Sequence, residues 1–154
     1  MRPSRPEADE GVDERPSPVS GHRMVPHTAD VIVEAWGATR LECVEEAVRA
    51  LVDSFARVTT SVTNSVPVVF DERDDEALLL AVLDEVIYVV EVLGVIPADV
   101  VLDETEDGSV VGFMDLAPLS AVEVHGSAPK GVSLSELSVG RDERGWRCRA
   151  TIDV

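Results

Sequence analysis

The sequence predicts an α+β domain in two layers, with two helices lying on a mostly antiparallel β-sheet. Three observations predict it. Two segments repeat apolar residues at helical spacing, and a capping motif opens the first of them. Extended segments crowd into the last third of the chain and are separated by short polar tips. Those strands follow one another instead of alternating with helices, which argues against a doubly wound parallel sheet. At 154 residues the chain is one domain's worth, and 45% hydrophobic residues can build a core without disulfides or a structural metal.

Residues 1–20 are expected to be a disordered tail. Pro3, Pro6, Pro16 and Pro18 stand among Glu, Asp, Arg and Ser, with almost nothing to bury against the cost of ordering. The folded domain is expected to span 21–154. Val31 to Trp36 alternates as a strand and Gly37 stops it. Thr39 and Glu42 have the capping-box spacing, so a helix starts there. Leu41, Val44, Val48, Leu51, Val52 and Phe55 make its buried stripe, with Glu45, Glu46, Arg49 and Asp53 on the wet side. A polar loop from Thr59 to Ser65 leads to a short strand, Val66 to Phe70. Acids at Asp74, Asp75 and Glu76 suit the start of a second helix, which runs to about Leu93 and stops at Gly94. Its stripe is wide (Leu78 to Leu80, Val82, Leu83, Val86, Ile87, Val89, Val90, Leu93), so it is expected to be the more buried helix. The remainder is β: Ala98 to Glu104 and Ser109 to Leu116 around an Asp107-Gly108 tip, then Ser120 to Ser127. Leu137 to Arg141 and Trp146 to Val154 flank a second tip.

Charge narrows the function. Thirty acidic residues against thirteen basic ones give a net charge of −17. Such a chain repels phosphate backbones and anionic membranes, so neither direct nucleic-acid binding nor a membrane surface is expected. No apolar run approaches the ~20 residues of a spanning helix. Hard cations or a basic partner protein suit it better. Cys43 and Cys148 are too few and too far apart for a disulfide framework, and are expected to be packed, reduced thiols of a cytoplasmic protein. No secretory h-region occurs in residues 1–20.

Most catalytic signatures are absent: no phosphate-cradling Gly-rich loop, no GxSxG, no HExxH, no CxxC. The best local constellation is Pro26-His27-Thr28-Ala29-Asp30, which sets an imidazole and a carboxylate at a strand entrance. From the residues alone the plainer account stands ahead, in which Asp30 ends a turn and His27 bonds locally. At the other end, Asp153 adjoins Val154 and its α-carboxylate. Held beside Asp30, it would form an oxygen-rich pocket of the kind that selects Ca²⁺ or Mg²⁺ over zinc. The plainer account there is a solvated terminal acid.

The stretch from Gly21 to Val31, with His27-Thr28-Ala29-Asp30 before an alternating strand, resembles the opening of the archease family. Ala35-Trp36-Gly37, Glu42-Cys43, Glu46-Ala47, Asp75 to Leu79, Leu83 to Val86, Pro129 to Ser133 and Gly145-Trp146 through Val154 fit the same family in order. The resemblance covers residues 21–154 and implies the archease fold. It also implies a non-catalytic accessory protein of tRNA splicing. Its partner would be the GTP-dependent RNA ligase that joins 2′,3′-cyclic-phosphate or 3′-phosphate ends to 5′-hydroxyl ends, and it would promote guanylylation and repeated turnover of that ligase. By the same resemblance Asp30 and Asp153 hold a divalent cation, Ca²⁺ or Mg²⁺, with the Val154 carbonyl or terminal carboxylate as a further oxygen. His27, Lys130 and Glu136 are then the positions expected to meet the partner. One departure stands out: where the family commonly shows Tyr-His-Asp, this chain has Leu134-Ser135-Glu136, keeping a carboxylate and losing the imidazole. Two alternatives stay open, a small metal-dependent hydrolase using His27 with Asp30, and a chaperone-like binding module.

Overall fold

The computed structural model describes residues 19–25, 30–61 and 64–154. Its strands are β1 (Gly21–Val25), β2 (Asp30–Gly37), β3 (Ala56–Val58), β4 (Asn64–Phe70), β5 (Ile96–Glu104), β6 (Val110–Ala117), β7 (Val122–Val124), β8 (Gly131–Asp142) and β9 (Gly145–Asp153). The helices are α1 (Arg40–Asp53) and α2 (Asp75–Tyr88). The class is α+β, and every strand pair is antiparallel. The strands divide among three sheets, ordered β1-β2-β9-β8, β4-β6-β5 and β3-β7. Each of the two larger sheets is touched by both helices: α1 lies against β2, β9 and β5, and α2 against β8 and β4.

Local chemistry explains the helix starts. Thr39 accepts from the Glu42 N–H at 3.1 Å, and the Glu42 carboxylate accepts from the Ala38 N–H at 3.0 Å. Asp74 caps α2 through the Ala77 N–H at 3.0 Å. These bonds satisfy amides that the first turn leaves without helical partners. Val44, Val48, Leu51, Leu78, Leu79, Val82, Leu83 and Val86 are all buried, so both apolar stripes face one continuous core with Val33, Val100, Met114 and Ile152. Gly94 closes the second helix at φ +69°, the left-handed cap that favours glycine.

The structure differs from the sequence expectation at several places. Regular α2 ends at Tyr88, and Val89–Leu93 winds on as a π-helical turn, whose wider winding breaks the 3.6-residue period and leaves Leu93 exposed instead of on the buried stripe. The tail expectation falls, apart from Val19 and Ser20, outside the described residues. β1 and β3 carry no clear alternation, because a short strand beside a neighbour needs backbone pairing more than an apolar face. The expected strand Ser120 to Ser127 shrinks to Val122–Val124, preceded by a 3₁₀ turn, Leu119–Ala121. β8 begins at Gly131 and not at Leu137. It was hidden by a bulge in which residues 134–137 oppose the single Ala150 of β9.

The wet side of α1 is also more engaged than its polarity suggests. Glu45 accepts from the backbone N–H of Leu102 at 2.7 Å. Glu46 and Asp53 flank the two ring nitrogens of His22 at 2.6 and 3.0 Å. Arg49 reaches Glu46 and Asp99 at 2.8 and 3.0 Å. Charged residues at helical spacing read as a solvated face when the neighbouring elements are unknown. Here β1 and β5 lie against that face.

Candidate functional site

β2 and β9 lie side by side in the middle of the four-stranded sheet, and their register decides what each face carries. Val33 opposite Ala150 and Ala35 opposite Cys148 are buried in the core. Side chains alternate along a strand, so the other face takes Asp30 opposite Asp153, Ile32 opposite Thr151, Glu34 opposite Arg149 and Trp36 opposite Arg147.

The acidic end of this face holds the residues singled out from the sequence. Asp30 and Asp153 are direct cross-strand partners, a relation that brings Cβ atoms to about 4.5–5.5 Å. Asp30 is half-buried and Asp153 exposed. On the far side of Asp153 stands Gly131, and the Asp153 Oδ2 lies 3.9 Å from where a Cβ on that glycine would sit. The Lys130 N–H donates to the Asp153 carbonyl at 2.7 Å. The start of β2, the end of β9 and the Lys130 segment therefore meet at one end of the sheet.

The other named positions are placed differently. Val154 continues the alternation and packs its side chain on the core. With Val90, Glu91, Pro129 and Lys130 it lines a cavity of about 520 Å³ beneath the π-helical turn. Glu136 sits on the β8 bulge, where its carboxylate accepts from the Thr151 hydroxyl at 2.6 Å. His27 lies outside the described residues. Among the described residues no group of three or more His, Cys, Asp or Glu converges as a metal cluster. Two opposed carboxylates fit a hard cation that keeps several of its own waters, the habit of Mg²⁺, better than a fully protein-walled cage.

The opposite end of the same face is basic. Arg23, Arg147 and Arg149 come from three different positions on β1 and β9, and Glu34 pairs with both Arg23 and Arg149. Burial pushes the Glu34 carboxyl up, and the two guanidiniums more than offset this and hold it below its ordinary value. Sequence reasoning passed over this cluster. The signal was present in the alternation of Arg147 and Arg149, two residues apart on a strand.

Comparison with known proteins identifies the fold and its relatives. The Archease protein family matches residues 22–154. A Mycobacterium tuberculosis protein named "Probable protein archease" is 42% identical over 142 residues, spanning 91% of this chain and 78% of its own length. The "Protein archease" of Archaeoglobus fulgidus is 27% identical over 140 residues, spanning 86% and 98%. Among solved structures, an archease from Thermotoga maritima, described as a possible chaperone, superposes with a TM-score of 0.62 at 18% identity over 84% of this chain and 94% of its own. Methanobacterium thermoautotrophicum protein 1598 gives 0.64 at 19% identity over 87% and 99%. At such low identity those two structures speak for the fold alone. The family match over nearly the whole described chain, together with the closer relatives, shows that this protein belongs to the archease family.

Proposed function

We propose that the protein is a non-catalytic activator of a GTP-dependent RNA ligase that joins 2′,3′-cyclic-phosphate or 3′-phosphate ends to 5′-hydroxyl ends. It would act through a divalent cation held by Asp30 and Asp153. The observation that carries this proposal is their register: Asp30 and Asp153 stand directly opposite on adjacent strands, so that one cation can take an oxygen from each. Asp30 and Asp153 would hold a divalent cation, which would supply positive charge at that end of the sheet, and the Lys130 N–H fixes the backbone of Asp153 through its carbonyl. No nucleophile with an adjacent base accompanies them among the described residues, which favours an accessory role over hydrolysis. The strongly acidic surface also favours encounter with a basic partner.

Two measurements test the proposal. Mg²⁺ or Ca²⁺ should stabilise the folded chain, by ~2.7 kcal/mol when free ion is a hundredfold above its dissociation constant. Asp30→Ala and Asp153→Ala should each abolish that stabilisation. Both should also abolish the stimulation of ligase guanylylation in a multiple-turnover ligation assay with the ligase of the same organism. If both variants stimulate the ligase normally, the cation mechanism is wrong.

A further inference from the structure

The basic end of the outer face lies four residues of strand from the acidic pair, roughly 13 Å from Asp153 to Arg149. There a shallow groove of about 380 Å³ is lined by Arg23, Glu34, Ser138, Gly140, Arg147 and Arg149 among others. The register sets its floor: Ser138 stands opposite Arg149, and Gly140 opposite Arg147. β8 is an outer strand of its sheet, so the groove opens to solvent along that edge. We infer that this groove binds a phosphate group, held between the guanidiniums of Arg147 and Arg149 over the floor of Ser138 and Gly140.

Several features of the groove converge on that ligand. In a chain of net charge −17, five of the nine described arginines, Arg23, Arg141, Arg144, Arg147 and Arg149, lie on this one sheet and its β8–β9 hairpin. Within the groove's surroundings, Arg23 and Arg149 meet the carboxylate of Glu34, Arg147 meets that of Asp142, and Glu136 is held on Thr151, the next residue along the same face. Glu34 lies on the β2 side of Arg149, between it and Arg23, and so steadies both guanidiniums while leaving the β8 side of Arg149 facing the groove. Arg147 and Arg149, two residues apart, root their side chains on the same face about 7 Å apart along the strand. A carboxylate occupies one fork, whereas a phosphate has enough oxygens to accept from two forks and a hydroxyl together. Ser138 supplies that hydroxyl.

Gly140 forms the floor of the groove opposite Arg147. Its φ is not in the left-handed region, and a Cβ placed on it would meet nothing within 4 Å. Neither backbone conformation nor packing calls for glycine there. Its missing side chain leaves the floor open opposite Arg147.

The phosphate could belong to a free or mononucleotide phosphate or to the backbone of single-stranded RNA. The test titrates the isotope-labelled full chain, in EDTA and at matched ionic strength, with inorganic phosphate, with AMP and with a short single-stranded RNA. It follows backbone amide shifts. Binding should perturb the amides of residues 138–140 and 147–149 and leave those of Asp30 and Asp153 unmoved. Perturbation by phosphate and AMP assigns the groove to a terminal phosphate, and perturbation by RNA alone assigns it to a phosphodiester chain. Arg149→Gln should weaken binding at least tenfold. Gly140→Val should abolish it while leaving the melting temperature unchanged, since the added carbons enter open space. Should that variant fold poorly, Ser138→Ala together with Arg147→Gln tests the same contact. Equal shifts from chloride, shifts centred on the acidic pair, or unweakened binding in these variants would overturn the assignment. Because no ligase or metal enters the assay, its outcome is separate from that of the proposed function.

Discussion

Replacing Glu45 tests how a helix side chain supports the edge of a neighbouring sheet. Among the described residues β5 is an outer strand paired with β6, and the N–H of Leu102, itself buried, points away from β6. The Glu45 carboxylate accepts that N–H at 2.7 Å and so stands in for a missing strand. Glu45→Ala leaves a buried amide without an acceptor, which costs about 1–3 kcal/mol. At the size of this domain a loss near 2 kcal/mol lowers the melting temperature by about 4–8 °C. Glu45→Gln keeps an acceptor oxygen in place and should cost less than ~1 kcal/mol at pH 7.

The two variants also differ in their pH response. Burial is the largest influence on Glu45 and raises its carboxyl above the ordinary value of 4.5, against the opposing pull of the Leu102 bond and Arg49. A folded-state pKa above the unfolded one means that the ionised form carries a penalty in the fold. That penalty is fully present above the folded pKa and is relieved as pH falls through it towards the unfolded value. Wild type should therefore gain stability relative to Glu45→Gln as pH falls from 7 towards the ordinary carboxyl value of 4.5. Urea unfolding followed by circular dichroism at both pH values measures the difference. Equal losses for the alanine and glutamine variants, or an alanine loss below the ~0.5 kcal/mol usual for a surface change, would refute the edge-capping role.

Two further outcomes concern the core. Leu51 is fully buried on α1, so Leu51→Ala should cost about 2–5 kcal/mol in the same unfolding assay, and a cost under about 1 kcal/mol would show the helix to be wrongly phased. Cys43 and Cys148 are both buried, the Cys148 thiol donates to the Cys43 carbonyl, and the neighbouring Cys43 side chain together with burial pushes the Cys148 thiol well above its ordinary value. Iodoacetamide should leave both unmodified in the native protein and label both in urea, as read by mass spectrometry. Rapid labelling of either under native conditions would contradict the packing.

What the sequence determined by itself is what short-range chemistry specifies. Thr39 and Asp74 are caps whose partners lie within three residues, and the stripes through Leu51 and Leu83 follow from the helical period alone. The Asp107-Gly108 tip likewise marks its hairpin from adjacent residues. The α+β class follows from counting such local elements. The motif around Asp30 and the closing Asp153 were also legible, because they resemble a family pattern in their order along the chain. That Asp30 stands opposite Asp153 is a different kind of fact. It depends on the register between strands more than a hundred residues apart, and a slip of one residue would send the two carboxylates to opposite faces. The same holds for the division into three sheets, for the bulge that carries Glu136 to Thr151, and for Glu45 at the Leu102 amide. It holds too for the arginines that gather in one groove of an acidic protein. Each of these is a relation between backbones brought together only when the core is buried, so no local pattern of residues encodes it alone.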